Sequence, residues 1–432
     1  MKRILVLLLL TVCSSAYSKN MLTLEDAIAI GLENSYGVKI SRNERQIAAN
    51  NNTLGSAGLL PVVDLSADYT KSVSNAKIET VLGGKLDKTG GLSDALTAGV
   101  NLHWTLFDGM KMFFNLDLQK SIEQQGELKI RSEIETTIAE IMRAYFETVS
   151  IAQALELMRL QIELSQFRLS IVQTNFDAGM ASQLELNKAT VDLNKDKTAY
   201  TSCQTALVLA KTKLNALLSR NSSEDFDVAS DYTLITTDEV DAYINRASDG
   251  NTKLKMLEKY YEISCIEAKK ETSRQSPTID FHMGYNYLWS ETETNFVKSN
   301  LNYGLAFGLT ARYNIFNGFN DSREIENSKI EAEIANHRAE QYKVDLDAFL
   351  KKTVDNFAES IALLTLFNNN LKIAQQNIEI AKDSYAAGSI SALELRDFQN
   401  DVLQISMNIA NTRFKAKLCE IDLLLAAGGL TR

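Results

Sequence analysis

The chain has 432 residues and an acidic balance, with 55 Asp and Glu against 45 Lys and Arg and a net charge of −10. That length is long for one compact domain, and that charge disfavours nucleic acid as a partner. Residues 1–18 read as a signal peptide. Lys2 and Arg3 make a basic start, Ile4 to Val12 is an apolar run too short to span a bilayer, and Ala16-Tyr17-Ser18 supplies the small residues of a cleavage site after Ser18. Cys13 is a poor lipoprotein cysteine, because Leu10-Thr11-Val12 lacks the small residue expected before it. Cys203, Cys265 and Cys419 are too widely spaced for a metal or disulfide pattern and read as buried small hydrophobes. No later stretch is apolar for long enough to be a membrane helix, so entry into a membrane would have to be as a barrel.

A first repeat is expected over residues 19–220. It opens with a polar helix, and Pro61 then precedes two segments that alternate with period two, a β-hairpin at about residues 61–107. In the first segment Val63, Leu65, Ala67 and Tyr69 oppose Asp64, Ser66, Asp68 and Thr70. In the second, Ala98, Val100, Leu102, Trp104 and Leu106 oppose Thr97, Gly99, Asn101, His103 and Thr105. Lys71 to about Asp94 reads as a long connection between them. A helical hairpin follows at about residues 110–218. Its first arm, Met110 to Asn175, has 66 residues and no proline, and at 1.5 Å per residue it is on the order of 100 Å long. Ile134, Ile138, Ile141, Tyr145, Val149 and Ala152 step along it in the coiled-coil manner. Gly179 reads as the C-cap and turn, and a second helix returns from Ser182 to Leu218. Residues 221–237 read as a linker.

The second repeat, residues 238–432, restates these elements. After Pro277 come a hairpin at about residues 278–316 and a helical hairpin at about residues 319–427. Ile279, Phe281, Met283, Tyr285, Tyr287 and Trp289 oppose Asp280, His282, Gly284 and Asn286. Leu301, Tyr303, Leu305, Phe307, Leu309, Ala311 and Tyr313 oppose Asn302, Gly304, Gly308, Thr310, Arg312 and Asn314. A seam of Val354, Phe357, Ile361, Leu364, Asn368 and Leu371 steps by threes and fours. The correspondence is positional. Phe107-Asp108-Gly109 and Phe316-Asn317-Gly318 stand 209 apart, as do Phe176-Asp177-Ala178-Gly179 and Tyr385-Ala386-Ala387-Gly388. One architectural unit has been duplicated.

Each alternating segment is about ten residues, the length of a tilted strand crossing a bilayer, with Tyr69, Trp104, Tyr287, Trp289 and Tyr313 gathered near the ends. Four strands cannot close a membrane barrel, since the smallest use about eight. An open edge in lipid leaves backbone groups unpaired, so the chain must share a barrel with copies of itself. Two copies would give a filled interior and three an aqueous lumen; alternation alone does not choose.

At these residues the chain resembles the TolC family of outer-membrane factors over nearly all of the mature sequence. The proline-led strands, the Phe-Asp/Asn-Gly junctions and the twin aromatic-x-x-Gly-x-x-Ser-x-Leu-Glu-Leu turns carry the resemblance. It implies a mixed α and β membrane protein: a homotrimer in which a shared 12-stranded antiparallel β-barrel, four strands per protomer, surmounts a long α-helical coiled-coil barrel, with residues 221–237 in an equatorial belt. It implies a location in the outer membrane lipid with a periplasmic extension, and a function as exit duct of a tripartite efflux pump or type I secretion system. The partners implied are a periplasmic adaptor and an inner-membrane pump of the RND or ABC type. Gly179, Gly388, Phe176 and Ile390 would form the adaptor-docking tip, and Glu394, Asp397, Glu185 and Tyr385 the periplasmic entrance gate, where rings of carboxylates disfavour anions. The family's better-known members carry an arginine where this chain has Ile390, which puts a salt-bridge latch at that position in doubt. Asp64, Asp68, His103, Asp280, His282 and Arg312 would face the barrel lumen. No cofactor or metal is expected, and no Ser-His-Asp arrangement, phosphate loop or metal cluster points to an enzyme. The alternative reading is a structural coiled-coil envelope protein without a pore.

Overall fold

The structure is a computed structural model that describes residues 21–229 and 231–430. The expected signal peptide and Cys13 lie outside those residues. In chain order the elements are β1 (Met21–Leu22), α1 (Leu24–Asn34), α2 (Tyr36–Asn51), β2 (Val62–Glu79), β3 (Lys85–Phe107), α3 (Lys111–Asp177), α4 (Gln183–Leu217), β4 (Asp227–Val228), α5 (Thr237–Gly250), α6 (Thr252–Thr272), β5 (Thr278–Thr292), β6 (Ser299–Arg312), α7 (Asn320–Ala386) and α8 (Ala392–Ala426). The long helices α3 and α7 have 67 residues each, and α4 and α8 have 35 each. No helix among the described residues is long and apolar enough to cross a membrane.

Two compact units form, and each draws on both sequence repeats. The sheet-bearing unit comprises Ser41–Ile130 and Lys253–Tyr342. Its antiparallel sheet has the order β2-β3-β5-β6, so β2 and β6 are its open edges within one chain. The strands are longer than the ten residues expected: 18, 23, 15 and 14. Most of the connection expected between Lys71 and Asp94 is strand. A two-stranded ribbon runs past Ser93, where pairing with β5 stops, to a turn at residues 80–84. Cross-strand ion pairs brace the ribbon, Lys77 to Asp87 at 3.1 Å and Lys85 to Glu79 at 2.9 Å. A bulge places Gly90 at φ 68°, its N–H donating to Asn75 Oδ1 at 2.7 Å. Along the ribbon Lys77, Glu79, Lys85 and Asp87 share one face and Ile78 pairs with Leu86 on the other, but the alternation is only four residues long on each side of the turn and the bulge at Gly90 breaks its period.

Among the described residues the helical unit comprises those up to Ile40, those of Arg131–Thr252 and those from Lys343 onward. Its core gathers Ile138, Ile141, Tyr145, Val149, Leu214 and Ile421, so the predicted α3 seam is buried here. The tyrosine ties the strand pair β1–β4 to α3. Its hydroxyl donates to Leu22 O at 3.0 Å and accepts from the Ala229 N–H at 3.4 Å. The residues after β4 are held by α8: Lys417 Nζ donates to Thr233 O at 2.8 Å and the Ile235 N–H to Glu420 Oε2 at 3.2 Å. On α7 the buried stripe runs through Thr353, Phe357, Ser360, Ala374, Ile378 and Ala381. The expected seam was partly one position off, for Ile361 and Asn368 are exposed. A second line, Leu366, Ile373 and Ile380, repeats every seven residues and is also exposed. The predicted seam shares Phe357 with the buried stripe, whereas the exposed line runs along the opposite side of the helix.

Candidate functional site

The two helical turns are built alike. Gly179 and Gly388 have φ of 74° and 73°. In both, the residue after the glycine closes a six-residue ring: the Met180 N–H donates to Asn175 O at 2.7 Å and the Ser389 N–H to Ser384 O at 2.8 Å. These are Schellman caps, which need a residue tolerant of positive φ. Nothing stands within 4 Å of where a β-carbon would sit on either glycine, so backbone conformation and not crowding demands them.

The return helices then start with capping boxes. The Ser182 N–H donates to Glu185 Oε2 at 2.7 Å and the Glu185 N–H to Ser182 Oγ at 3.3 Å; for Ser391 and Glu394 the distances are 2.7 and 3.2 Å. The backbone N–H of the capping serine, aided by its hydroxyl, holds each carboxyl below the usual glutamate range. Thus the two glutamates assigned to a gate also have a local task, and it keeps them ionised. Asp397 is exposed one turn further along α8.

Between the turns of the two hairpins lies a cleft of about 780 Å³. Four of the sequence-predicted residues line it: Glu185, Tyr385, Gly388 and Ile390. Phe176, Gly179, Glu394 and Asp397 do not. The Tyr385 side chain is half-buried, and burial raises its pKa, with Arg168 opposing.

Deeper in this unit is an ionic cluster that the sequence reading missed. Arg168 on α3 is 2% exposed and reaches Asp192 on α4 at 3.3 Å and Gln399 on α8 at 3.4 Å. Arg396 on α8 meets Asp196 at 3.1 Å and Asp192 at 3.4 Å. Ser165 donates a short bond to Asp196. Burial, then Arg396, pushes the Arg168 guanidinium down, and the two aspartates push it up. A signal did exist. Gln161, Ser165, Arg168 and Val172 occupy successive buried positions of the α3 stripe, so an arginine sits where a coiled coil takes an apolar residue.

The polar residues assigned to a lumen all fall on one face of the sheet. Directly opposite partners share a face, and the register runs Val62–His103–His282–Gly308, then Asp64–Asn101–Gly284–Ala306, then Ser66–Gly99–Asn286–Gly304, then Asp68–Thr97–Leu288–Asn302. Asp280 pairs with Thr105, whose hydroxyl donates to its Oδ1 at 2.9 Å, and Arg312 ends β6 on the same face. His103 Nε2 lies 3.8 Å from Asp64 Oδ1. The other face carries Leu65, Val100, Tyr285 and Leu305 in one row, each exposed in the single chain. Among the described residues no three His, Cys, Asp or Glu side chains are grouped to hold a metal ion.

The outer membrane efflux protein family model matches residues 30–220 and 243–429. The chain is similar to outer membrane protein TolC of Vibrio cholerae serotype O1, with 20% identity over 398 residues covering 90% of this chain and 86% of that protein. Among solved structures, the outer membrane protein VceC of Vibrio cholerae aligns with a TM-score of 0.78 at 14% identity, covering 94% of this chain and 96% of that one. The CmeC outer membrane channel of Campylobacter jejuni aligns with the same score and identity, covering 94% and 85%. At such identities the structures share a fold; the family match covers both repeats.

Proposed function

Because this chain belongs to the outer membrane efflux protein family, we propose that it is the passive exit duct of a tripartite pump or type I secretion system, taking substrate from a periplasmic adaptor and an inner-membrane transporter. It resides in the bacterial outer membrane and serves as an exit channel of an efflux system. One observation carries the reading of how it does so. The sheet has an apolar face, a polar face and two unpaired edges, β2 and β6. In lipid both edges must find strands, and a copy of the same chain supplies β6 to β2 and closes a ring. Three copies make twelve strands and a water-filled lumen. The exposed heptad line Leu366, Ile373 and Ile380 on α7, and Leu184 with Val191 seven residues on along α4, support the same arrangement. They lie on different helices, as a head-to-tail contact between copies requires.

The helical turns, with Gly179, Gly388, Phe176 and Ile390, are the proposed adaptor-docking tip. Glu185, Glu394, Asp397 and Tyr385 are the proposed entrance gate. Three copies of each carboxylate around a narrow axis would concentrate cations and repel anions, and the capping N–H groups keep Glu185 and Glu394 charged. The protein extracted from outer membranes and added to a planar bilayer tests this reading. Heat-modifiable trimers with ion conductance are expected. A monomer that stays soluble and never conducts would overturn it in favour of a structural coiled-coil envelope protein.

A further inference from the structure

Glycine in a strand interior weakens the strand and marks a place where some group approaches the backbone closely. Where all four strands are paired, the sheet has Gly99, Gly284, Gly304 and Gly308, and all four lie on the polar face. All four stand directly opposite a polar side chain: Gly99 and Gly304 flank Asn286, Gly284 faces Asn101 and Gly308 faces His282, and at three of them that side chain lies over the glycine. A β-carbon at residue 99 would stand 1.9 Å from Asn286 Oδ1, one at residue 284 would stand 2.5 Å from Asn101 Oδ1, and one at residue 308 would stand 2.7 Å from His282 Nε2. The close-approaching group in each case is therefore the chain's own polar side chain, lying along the sheet over its neighbour's backbone.

Side chains on a strand ordinarily stand away from the sheet, side by side with their cross-strand partners. Removing one partner's β-carbon lets the other lie down. The consequence is visible in exposure: Gly99 and Gly284 are buried on a face that is otherwise open to solvent, because Asn286 and Asn101 cover them. Gly304 is the contrast within the same face. It is exposed, and nothing stands within 4 Å of where its β-carbon would be.

We propose that Gly99, Gly284 and Gly308 are size-determining residues of the exit: by letting Asn286, Asn101 and His282 lie flat against the wall, they set the free bore of the barrel. This rests on the reading of the polar face as the lumen of a ring of copies. In such a ring each side chain recurs at one height around the axis. Pushing it off the wall narrows the passage from all sides at once. Alanine at these positions meets the side chains of Asn286, Asn101 and His282 first, and the nearest backbone atom, Tyr285 O, is 3.1 Å from a β-carbon at residue 99, so the side chains must rise while the strands keep their pairing with a slight local shift.

The test uses the full-length trimer in planar bilayers, with polyethylene glycols of graded size added on the barrel side only. The largest polymer that still enters and lowers the conductance reports the bore there, whatever constriction lies at the other end. Gly308→Ala and Gly99→Ala should move the cut-off to smaller polymers, Gly304→Ala should leave it in place, and adding His282→Ala to Gly308→Ala should restore it. A cut-off unchanged by Gly308→Ala and Gly99→Ala, or shifted as far by Gly304→Ala, would overturn the proposal. Should the glycine variants fail to assemble, His282→Ala and Asn286→Ala alone decide. They leave the cut-off unchanged if these side chains already lie flat, and widen it if they protrude. A wild-type trimer that admits no polymer from the barrel side overturns the lumen reading itself, a failure separate from the others.

Discussion

Glu394 joins two tasks at a single carboxylate, and two substitutions separate them. Glu394→Gln removes the charge but keeps an oxygen that can accept from the Ser391 N–H, whereas Glu394→Ala removes both. If charge matters at the entrance, both variants combined with Asp397→Ala weaken block by divalent cations or raise single-channel conductance. If only the cap matters, Glu394→Gln leaves channels unchanged and Glu394→Ala alone loosens the turn. The pH dependence follows from the direction of the shift. The folded-state pKa of Glu185 and Glu394 lies below the unfolded value. Their capping contribution is therefore complete above the ordinary glutamate pKa and disappears as pH falls through the depressed value. Protection of the amides at Ser182 and Ser391, taken relative to the intrinsic exchange rate at each pH, should fall in that acidic window, and equal protection throughout it would refute the assignment. The cluster around Arg168 obeys a different rule, because it is shielded from water. Asp196→Ala leaves Arg396 and Arg168 short of a counter-charge in a buried setting and should cost on the order of 3 kcal/mol in the local stability of α8. Adding Arg396→Met should recover much of that loss, as measured by hydrogen exchange in α8.

Each helical hairpin depends on its terminations as much as on its apolar stripe. Ser219 and Gly428 stand 209 residues apart and end α4 and α8 with φ of 52° and 60°. The repeat therefore extends to the backbone conformation of its last cap, although the residue differs. A non-glycine residue in the left-handed region is strained by about 1 kcal/mol. Ser219→Gly should accordingly stabilise the helical unit by something under ~1 kcal/mol, and Gly388→Ala should destabilise it by about 1 kcal/mol, each read from hydrogen exchange at the helix end. Because no atom stands near Gly388, a much larger loss there would mean that a group outside the single chain packs against the turn. On α7 the buried line through Phe357 and the exposed line through Ile373 occupy different faces of one helix. Ile373→Asp should leave the isolated chain's helix content unchanged yet prevent assembly into a heat-resistant trimer. Persistence of the trimer would take that line out of the interface between copies.

At the scale of the whole chain, duplication and compactness divide the protein differently. The repeats follow one another along the sequence, while each compact unit takes part of both. The sheet needs the second repeat because β3 pairs with β5 across it. A chain cut in the 221–237 linker should thus give neither half a four-stranded sheet. Co-expression of the two halves should restore conductance if the fragments reassociate through the β3–β5 pairing, and conductance from the first half alone would contradict that dependence.

Much of the architecture was legible because it rests on periodicity. Period-two alternation placed Asp64, Asp68, His103, Asp280, His282 and Arg312 on one face. Proline-free heptads and the glycine at each turn marked the helical hairpins. Those features depend on local stereochemistry, which every residue carries with it. What the folded chain alone decided depends on which surfaces meet. The ribbon beyond Ser93 is strand because cross-strand pairs hold it, Lys77 with Asp87 on one face and Ile78 with Leu86 on the other, although each alternating run is too short to stand out in the sequence. The ionic cluster of Arg168 and Arg396 brings together residues 200 to 231 positions apart, a distance over which charges in a sequence carry no mark of their partners. The sequence showed a duplicated plan of strand hairpin and helical hairpin; packing determined which line on α7 is buried, which carboxylates cap their own helices, and which side chains lie flat against the sheet.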